Sequence, residues 1–155
     1  MLKASLDRPE AHLVELFLER VLQSRGKEIE FVVLFGSTAT GEWTPASDYD
    51  VFIGLNQEDG KRLLDRMAEF AGLVEGNIEA FPYSRGEWQR MFAERHLLML
   101  EVLEHGVVLF DRGAFAQMRQ EFRRWRQEGT VVRSGCGWQL SEPICSQRIS
   151  PKSQT

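Results

Sequence analysis

The sequence predicts an α/β (α+β) protein built on a mixed β-sheet of about four strands, with helices packed mainly on one face. Two observations support this prediction. Short runs of β-branched and aromatic residues, which are typical of buried strands, alternate with segments whose apolar residues recur at the spacing of a helix. In addition, 43% of the 155 residues are hydrophobic, which is enough apolar material for the core of one domain.

The first predicted elements are a helix and two strands. Residues 9–24 show helical periodicity, and their leading proline suits a first helical turn. Gly26 suits the end of that helix. Continuous apolar runs predict buried central strands at 30–35 and 49–55, and residues 36–41 between them predict a turn that begins a short helix.

The middle of the chain predicts a helix, a third strand and another helix. Residues 57–70 have helical periodicity, and four of their side chains are expected to face inward: Leu63, Leu64, Met67 and Phe70. Residues 77–81 alternate in the manner of a strand. Ser84, followed three residues later by Glu87, matches a capping box and predicts the start of the next helix.

The last third of the chain predicts a helix at 97–104, a short strand at 107–110 and an amphipathic helix at 111–128. Beyond that helix the periodicity weakens, and Ser, Gln, Pro and Lys accumulate, a composition typical of flexible segments. We therefore predict one domain over residues 1–134 and a weakly patterned, flexible tail over residues 135–155.

Composition argues against several function classes. The net charge of −4 does not indicate a general nucleic-acid binder, and no apolar run approaches the roughly 18 residues that span a bilayer. The first ten residues contain no signal-peptide hydrophobic region, so we expect a cytoplasmic protein. In that setting Cys136 and Cys145 are expected to be free thiols.

Arginines concentrate late in the chain, and we interpret them as a solvated helix face. The alternatives are a positive patch that meets a partner or nucleotide phosphates, and the interface of a homo-oligomer. The residues concerned are Arg112, Arg119, Arg123, Arg124, Arg126 and Arg133.

The residues that carry chemistry lie where the first two strands meet. Gly36 and Ser37 follow the first strand directly, and Asp48 and Asp50 flank the entry to the second. Because successive side chains of a strand point to opposite faces, the two aspartates share one face roughly 7 Å apart and repel each other unless a cation lies between them. Hard carboxylate oxygens suit Mg²⁺, and a Gly-Ser turn offers backbone N–H groups to a phosphate. These are the components that phosphoryl or nucleotidyl transfer requires.

This combination resembles the signature of the DNA polymerase beta-type nucleotidyltransferase superfamily, and the short chain points to its minimal nucleotidyltransferase (MNT-like) branch. The likeness continues through residues 77–84 and 100–111, and covers about residues 14–125. In this branch the domain is often paired with a small all-helical HEPN protein. The resemblance therefore implies a nucleotidyltransferase fold, a nucleoside triphosphate substrate and a HEPN-type partner.

The resemblance also implies a role for each residue of the motif. Gly36 and Ser37 would hold the β- and γ-phosphates of a nucleoside triphosphate, with ATP expected, and Asp48 and Asp50 would bind two Mg²⁺ ions and through them the nucleotide. Glu79, on the third strand, would be the third carboxylate, which binds the catalytic metal and helps to activate the attacking hydroxyl. The plainer interpretations are a solvent-exposed glutamate on a strand, and a pair of aspartates in a turn.

Two positions depart from the family pattern. Many relatives carry an arginine where this chain has Thr40, and the third carboxylate is Glu79 where many have aspartate. Without the arginine there is less positive charge beside a triphosphate, and the longer glutamate changes the ligand geometry, about which Mg²⁺ is strict. Two functions therefore stay open: metal-dependent nucleotidyl transfer to a hydroxyl acceptor, and a non-catalytic, antitoxin-like module that acts by contact with its partner.

Overall fold

Four strands form the main sheet of the protein: β1 (Ile29–Phe35), β2 (Tyr49–Leu55), β3 (Ile78–Tyr83) and β4 (Val107–Asp111). The structure is a computed structural model that describes residues 12–40, 48–73, 76–135 and 137–141. The strands lie in the order β3-β2-β1-β4, and β1 pairs antiparallel with both β2 and β4, whereas β2 and β3 run parallel. The predicted mixed sheet of four strands is therefore confirmed.

Six helices accompany this sheet in the described ranges: α1 (His12–Arg25), α2 (Ser37–Thr40), α3 (Leu63–Ala71), α4 (Arg85–Ala93), α5 (Leu97–His105) and α6 (Ala114–Glu128). A 3-10 turn at Gly26–Glu28 follows α1 and leads into β1. After α6 the chain forms a hairpin of β5 (Val131–Ser134) and β6 (Gly137–Leu140). Within these ranges, every helix is too short or too polar to cross a membrane.

The central strands are buried on both faces because alternate residues enter two different cores. On β1, Val32 and Leu34 pack with residues of α1 and α3, and we call this side the α1 face. Val33 and Phe35 pack with residues of α4, α5 and α6, and we call this side the α5 face. Three helices thus cover the α5 face and two cover the α1 face. The predicted fold class is confirmed, but helices cover both faces of the sheet and not mainly one.

The helix α3 is shorter than predicted and faces the core differently. The prediction that Leu64 points inward is wrong, because this side chain is 71% exposed while Arg66 is buried. The guanidinium of Arg66 takes the inward position because it finds acceptors there: Nε donates to both carboxylate oxygens of Asp59 at 3.0 and 3.1 Å, and Nη2 donates to the carbonyl of Lys61 at 2.6 Å. These bonds favour a loop over residues 57–62, where the sequence predicted the first turns of a helix.

The predicted capping box at the start of α4 is confirmed. The Ser84 hydroxyl accepts the N–H of Glu87 at 3.3 Å, and the Glu87 carboxylate accepts the N–H of Ser84 at 2.8 Å. The same carboxylate accepts Nη1 of Arg66 at 2.7 Å, so one acidic side chain joins α3 to α4. Although burial opposes it, these hydrogen bonds hold the pKa of Glu87 below its ordinary value.

The hairpin β5–β6 extends past the domain boundary that the sequence predicted at residue 134. Trp138 packs edge-on against Phe122 with ring centroids 5.8 Å apart, and its Nε1 donates to Glu101 at 2.7 Å. The hairpin escaped sequence analysis because each strand has only four residues, too few for a clear alternation, and they are separated by a turn with Gly135 at φ 57°. These contacts lie beyond residue 134, and the predicted domain boundary stays a prediction.

Several sequence predictions fall outside the described residues. They concern the start of the first helix, residues 41–47, both cysteines and the stretch 142–155 of the predicted tail. They stay predictions.

Phe70 and Leu64 provide a test of how α3 packs. Phe70 is completely buried, so we expect Phe70→Ala to lower the free energy of unfolding by about 3–4 kcal/mol through lost burial and a cavity. Leu64→Ala removes an exposed side chain and is expected to change it by less than about 0.5 kcal/mol. Urea denaturation followed by circular dichroism measures both values. A large loss at Leu64 would contradict the exposed position.

Candidate active site

The predicted site residues lie at the edge of the sheet where β1 ends and β2 begins. In the strand register, Asp50 is opposite Phe35 on β1 and opposite Glu79 on β3. Directly paired residues of neighbouring strands point to the same face and are about 5 Å apart. The carboxylates of Asp50 and Glu79 are therefore neighbours on the α5 face.

Asp48 precedes β2 and is exposed, and alternation along the chain sets it on the same side as Asp50. Tyr49 between them points to the opposite face and is completely buried in the core of the α1 face. Its backbone N–H donates to the carbonyl of Asn77 at 2.6 Å, which fixes the start of β2 against the approach to β3.

The electrostatics of this edge are dominated by negative charge. Burial, then the charge of Glu79, then that of Asp48 raise the pKa of Asp50 from its ordinary value of 3.8 to about 6. Near neutral pH the Asp50 carboxylate thus carries a charge that its surroundings disfavour. A cation bound between these carboxylates relieves that cost, and the all-oxygen donor set fits Mg²⁺.

Gly36 brings backbone directly against this carboxylate. Its φ of +79° is a conformation that other residues rarely adopt, and a Cβ at this position would lie 2.5 Å from Oδ2 of Asp50. Its carbonyl accepts the N–H groups of Ala39 at 3.1 Å and Thr40 at 3.3 Å, which closes the short turn α2. The predicted phosphate-binding turn of Gly36 and Ser37 is therefore adjacent to the predicted metal-binding carboxylate.

Thr40, at the position where the family resemblance leads us to expect arginine, makes a hydrogen bond within α2. Its Oγ1 donates to the carbonyl of Ser37 at 3.2 Å and helps to close α2. At this position the chain therefore offers a short hydroxyl and no positive charge.

The carboxylates are charge-coupled neighbours, but they do not form a ready cage. Within the described parts of the chain, no three Asp, Glu, His or Cys side chains converge closely enough to hold a metal ion. Proteins usually bind Mg²⁺ through one or two carboxylates together with substrate phosphates and water. An open arrangement of Asp48, Asp50 and Glu79 is compatible with a metal site that a bound nucleotide completes.

A wall of aromatic side chains beside the carboxylates was not singled out from the sequence. Phe35 and Phe81 have ring centroids 5.6 Å apart, and Phe52 stacks on Tyr83 at 4.9 Å. Phe81 follows Glu79 by two residues on β3 and so lies on the same face. These rings share the α5 face with Asp50, whose pKa is raised first by burial, and the alternation of residues 79, 81 and 83 was the sequence signal that could have identified them.

The late arginines mostly serve the packing of the helices. Nε of Arg119 donates to the carbonyl of Leu103 at 3.0 Å and Nη2 to that of Gly106 at 2.8 Å, which satisfies the end of α5. Three more form ion pairs in the described structure: Arg124 with Glu121, Arg126 with Glu104, and Arg133 with Glu101. The interpretation as a solvated face holds for Arg124, whose ion pair is within α6, and is corrected for Arg119, Arg126 and Arg133, which link α6 and the hairpin to α5.

Comparisons with known proteins identify a family model and similar structures. Residues 15–81, which contain all the candidate site residues, match the family model of the nucleotidyltransferase domain. No curated protein matches the chain significantly. A provisionally assigned nucleotidyltransferase from Sulfolobus solfataricus is similar in structure, with 22% identity and a TM-score of 0.50 over 70% of this chain and 88% of that one. A toxin–antitoxin structure with AMP-PNP is similar with 12% identity and a TM-score of 0.50 over 90% of this chain and 97% of that one. The predicted nucleotidyltransferase fold is confirmed, and the predicted family resemblance is confirmed over residues 15–81.

The raised pKa of Asp50 makes a prediction about stability without metal or nucleotide. The folded protein binds this proton more tightly than the unfolded chain, so stability is lost as pH rises from 3.8 through about 6. The whole shift corresponds to about 3 kcal/mol, and solvent screening at a half-exposed group lowers it, so we expect Asp50→Asn to stabilise by about 1–2 kcal/mol near pH 8. Near pH 3.5 we expect no gain.

Urea denaturation in the presence of a chelator, at both pH values, measures this difference. Asp65→Asn is the matched control, because Asp65 is an exposed aspartate of α3 whose ion pair with Arg62 is on the surface. We expect Asp65→Asn to give no increase in the free energy of unfolding between the two pH values. Equal effects of Asp50→Asn at the two pH values would contradict the assigned pKa.

Gly36 and Gly60 form a second matched pair. Both have positive φ, +79° and +69°, so alanine at either position is expected to cost about 1–2 kcal/mol of stability. Around Gly60 a Cβ would meet no atom within 4 Å, whereas at Gly36 it would collide with the Asp50 carboxylate. Gly36→Ala is therefore expected to destabilise more than Gly60→Ala in urea denaturation. Equal losses would mean that Asp50 moves aside without cost.

Proposed function

We propose that this chain, in which residues 15–81 belong to the nucleotidyltransferase domain family, transfers a nucleoside monophosphate from a nucleoside triphosphate to a hydroxyl acceptor. ATP is the triphosphate to test first. The observation that carries the proposal is the register that sets Asp50 beside Glu79, with the backbone of Gly36 in contact with the Asp50 carboxylate. Carboxylate oxygens suited to a cation and backbone N–H groups suited to a phosphate therefore lie together where β1 ends and β2 begins.

Each group has a role that follows from its position. Asp48, Asp50 and Glu79 would hold Mg²⁺, which in such sites neutralises phosphate charge and stabilises the leaving pyrophosphate. The turn that begins at Gly36 and Ser37 would hold the phosphates through backbone N–H groups. Two ions are expected from the family resemblance, because a two-metal site supports both the attacking and the leaving oxygen.

The proposed reaction is an in-line displacement. The acceptor oxygen forms a bond to the α-phosphorus, the bond from this phosphorus to the bridging oxygen breaks, and pyrophosphate leaves with that electron pair. The proton of the acceptor hydroxyl goes to Glu79, which is exposed at the sheet edge and so is open to an approaching acceptor. Asp50 is more buried and is suited to binding rather than to shuttling a proton.

A non-catalytic, antitoxin-like module that contacts a HEPN-type protein is the second candidate. The observation that favours it is Thr40, whose hydroxyl bonds within α2 at a position where many relatives supply a positive charge. The likeness to a toxin–antitoxin structure determined with AMP-PNP is compatible with either function, because that protein has both a partner and a nucleotide analogue. The two candidates differ in whether the carboxylates are needed.

Calorimetric titration of ATP, with and without Mg²⁺, tests the nucleotide site. Wild type is expected to bind ATP only with Mg²⁺, and Asp50→Asn is expected to weaken binding at least tenfold because a charged metal ligand is lost. Asp65→Asn is expected to bind as wild type does. Transfer of label from α-labelled ATP to an acceptor is expected to disappear in Asp50→Asn.

Full turnover by Asp50→Asn would refute the enzymatic proposal. Wild-type protein that binds no ATP, but still binds and neutralises a helical partner when Asp50 is replaced, would favour the contact module. Gly36→Ala and Gly60→Ala extend the comparison, since only the former is expected to impair nucleotide binding.

A further inference from the structure

The outer face of α3 carries an apolar stripe that the rest of the described chain leaves exposed. Leu64 is 71% exposed, and Ala68 and Ala71, four and seven residues further on, are exposed as well. Residues at this spacing lie on one face of a helix. The inward face is anchored by Phe70 and by the hydrogen bonds of Arg66, so α3 cannot turn the stripe towards the core without breaking those bonds.

A cleft of about 320 Å³ opens between α3 and α4, beside this stripe. The half-buried part of its lining consists of Leu63, Tyr83 and Met91, and its exposed part consists of Arg90, Glu94 and His96. Glu87 completes the lining and is held by Arg66 and by the N–H of Ser84. The ring of Tyr83 stacks on Phe52, which fixes the floor of the cleft. Because Leu63 lines the cleft, the exposed Leu64 that follows it protrudes at the edge.

A protruding leucine next to a partly apolar cleft makes this surface self-complementary. In a dimer with two-fold symmetry the same patch of each copy contacts the other, so a side chain that enters the partner's cleft does so twice. A two-fold axis between Leu64 and the cleft would therefore bury both leucines and fill both clefts at once. A separate small ligand in the cleft would leave Leu64, Ala68 and Ala71 exposed, so a second copy accounts for more of the surface.

The charges beside the leucine and beside the cleft match in the same arrangement. Next to Leu64, the side chain of Arg62 is 81% exposed, and its ion pair with Asp65 is on the surface. At the cleft, Arg90 and Glu94 are exposed one turn apart on α4, and neither side chain has an ion pair in the described parts of the chain. Each side thus offers one charge of either sign. An orientation that brings Arg62 to the partner's Glu94 places opposite charges together.

We propose that the stripe on α3 and the cleft beside it form the contact surface of a homodimer, in which Leu64 of each copy enters the cleft of the other. The proposal does not depend on the proposed reaction, because Tyr83 in the cleft is four residues along β3 from Glu79, about 13 Å at 3.3 Å per residue. So small a contact suits a dissociation constant on the order of tens of micromolar. Urea denaturation at low micromolar concentration therefore observes the monomer.

Sedimentation velocity of the full chain at about 2 and about 200 µM tests the proposal. We expect wild type to be monomeric at the lower concentration and dimeric at the higher. Leu64→Asp is expected to weaken association at least tenfold, because a carboxylate would enter an apolar lining. The matched control is Val132→Asp, since Val132 is 43% exposed on β5 and does not line the cleft; it is expected to dimerise as wild type does. Circular dichroism of each variant confirms that it folds.

A charge reversal tests the orientation without touching the leucine. Arg62→Glu and Glu94→Arg are each expected to weaken association by about threefold or more, because like charges would then meet. The double variant Arg62→Glu/Glu94→Arg is expected to return to within about twofold of wild type, because opposite charges face each other again. A double variant that associates no better than the single variants would overturn the proposed contact. So would a wild-type chain that stays monomeric at about 200 µM, or a dimer that Leu64→Asp does not weaken.

Discussion

The pairing of β2 with both of its neighbours is the constraint on which the rest of this structure depends. A shift of that pairing by one residue would turn Asp50 into the α1 core and expose Tyr49. The register is secured because β1 and β2 carry large apolar side chains on both faces, so a slipped strand would misplace every one of them. The packing of the two cores therefore determines where the carboxylates lie.

The same packing that fixes Asp50 also makes its charge unfavourable. Burial is the largest cause of the raised pKa of Asp50, and the like charges of Glu79 and Asp48 add to it. A protein selected only for stability has no reason to keep this arrangement. Its presence next to the left-handed turn at Gly36, whose lack of a side chain gives the carboxylate its room, is typical of a site that accepts a local cost for binding.

Local signals predicted much of the fold, and the errors have physical reasons. The strand over residues 49–55 was predicted to the residue because it is a short apolar run between polar stretches of sequence, and the capping box at Ser84 is a purely local motif. Leu64 was predicted to face inward because helical periodicity does not distinguish which neighbouring position is buried. Arg66 is buried instead because acceptors from the preceding loop and from the start of α4 surround its guanidinium. The closeness of Asp50 and Glu79 likewise depends on parallel pairing across a crossover, so it came from the family resemblance rather than from periodicity.

The parallel pairing of β2 with β3 has a consequence for how the protein is made. β1 and β2 are antiparallel neighbours in sequence, whereas β3 joins β2 only after α3 has crossed over and docked. During synthesis the ribosome must therefore release the chain well past Glu79 before the third carboxylate arrives. A nascent chain that ends within α3 contains the Gly36 turn and Asp50 but not Glu79, so the proposed nucleotide site is incomplete until the crossover is in place.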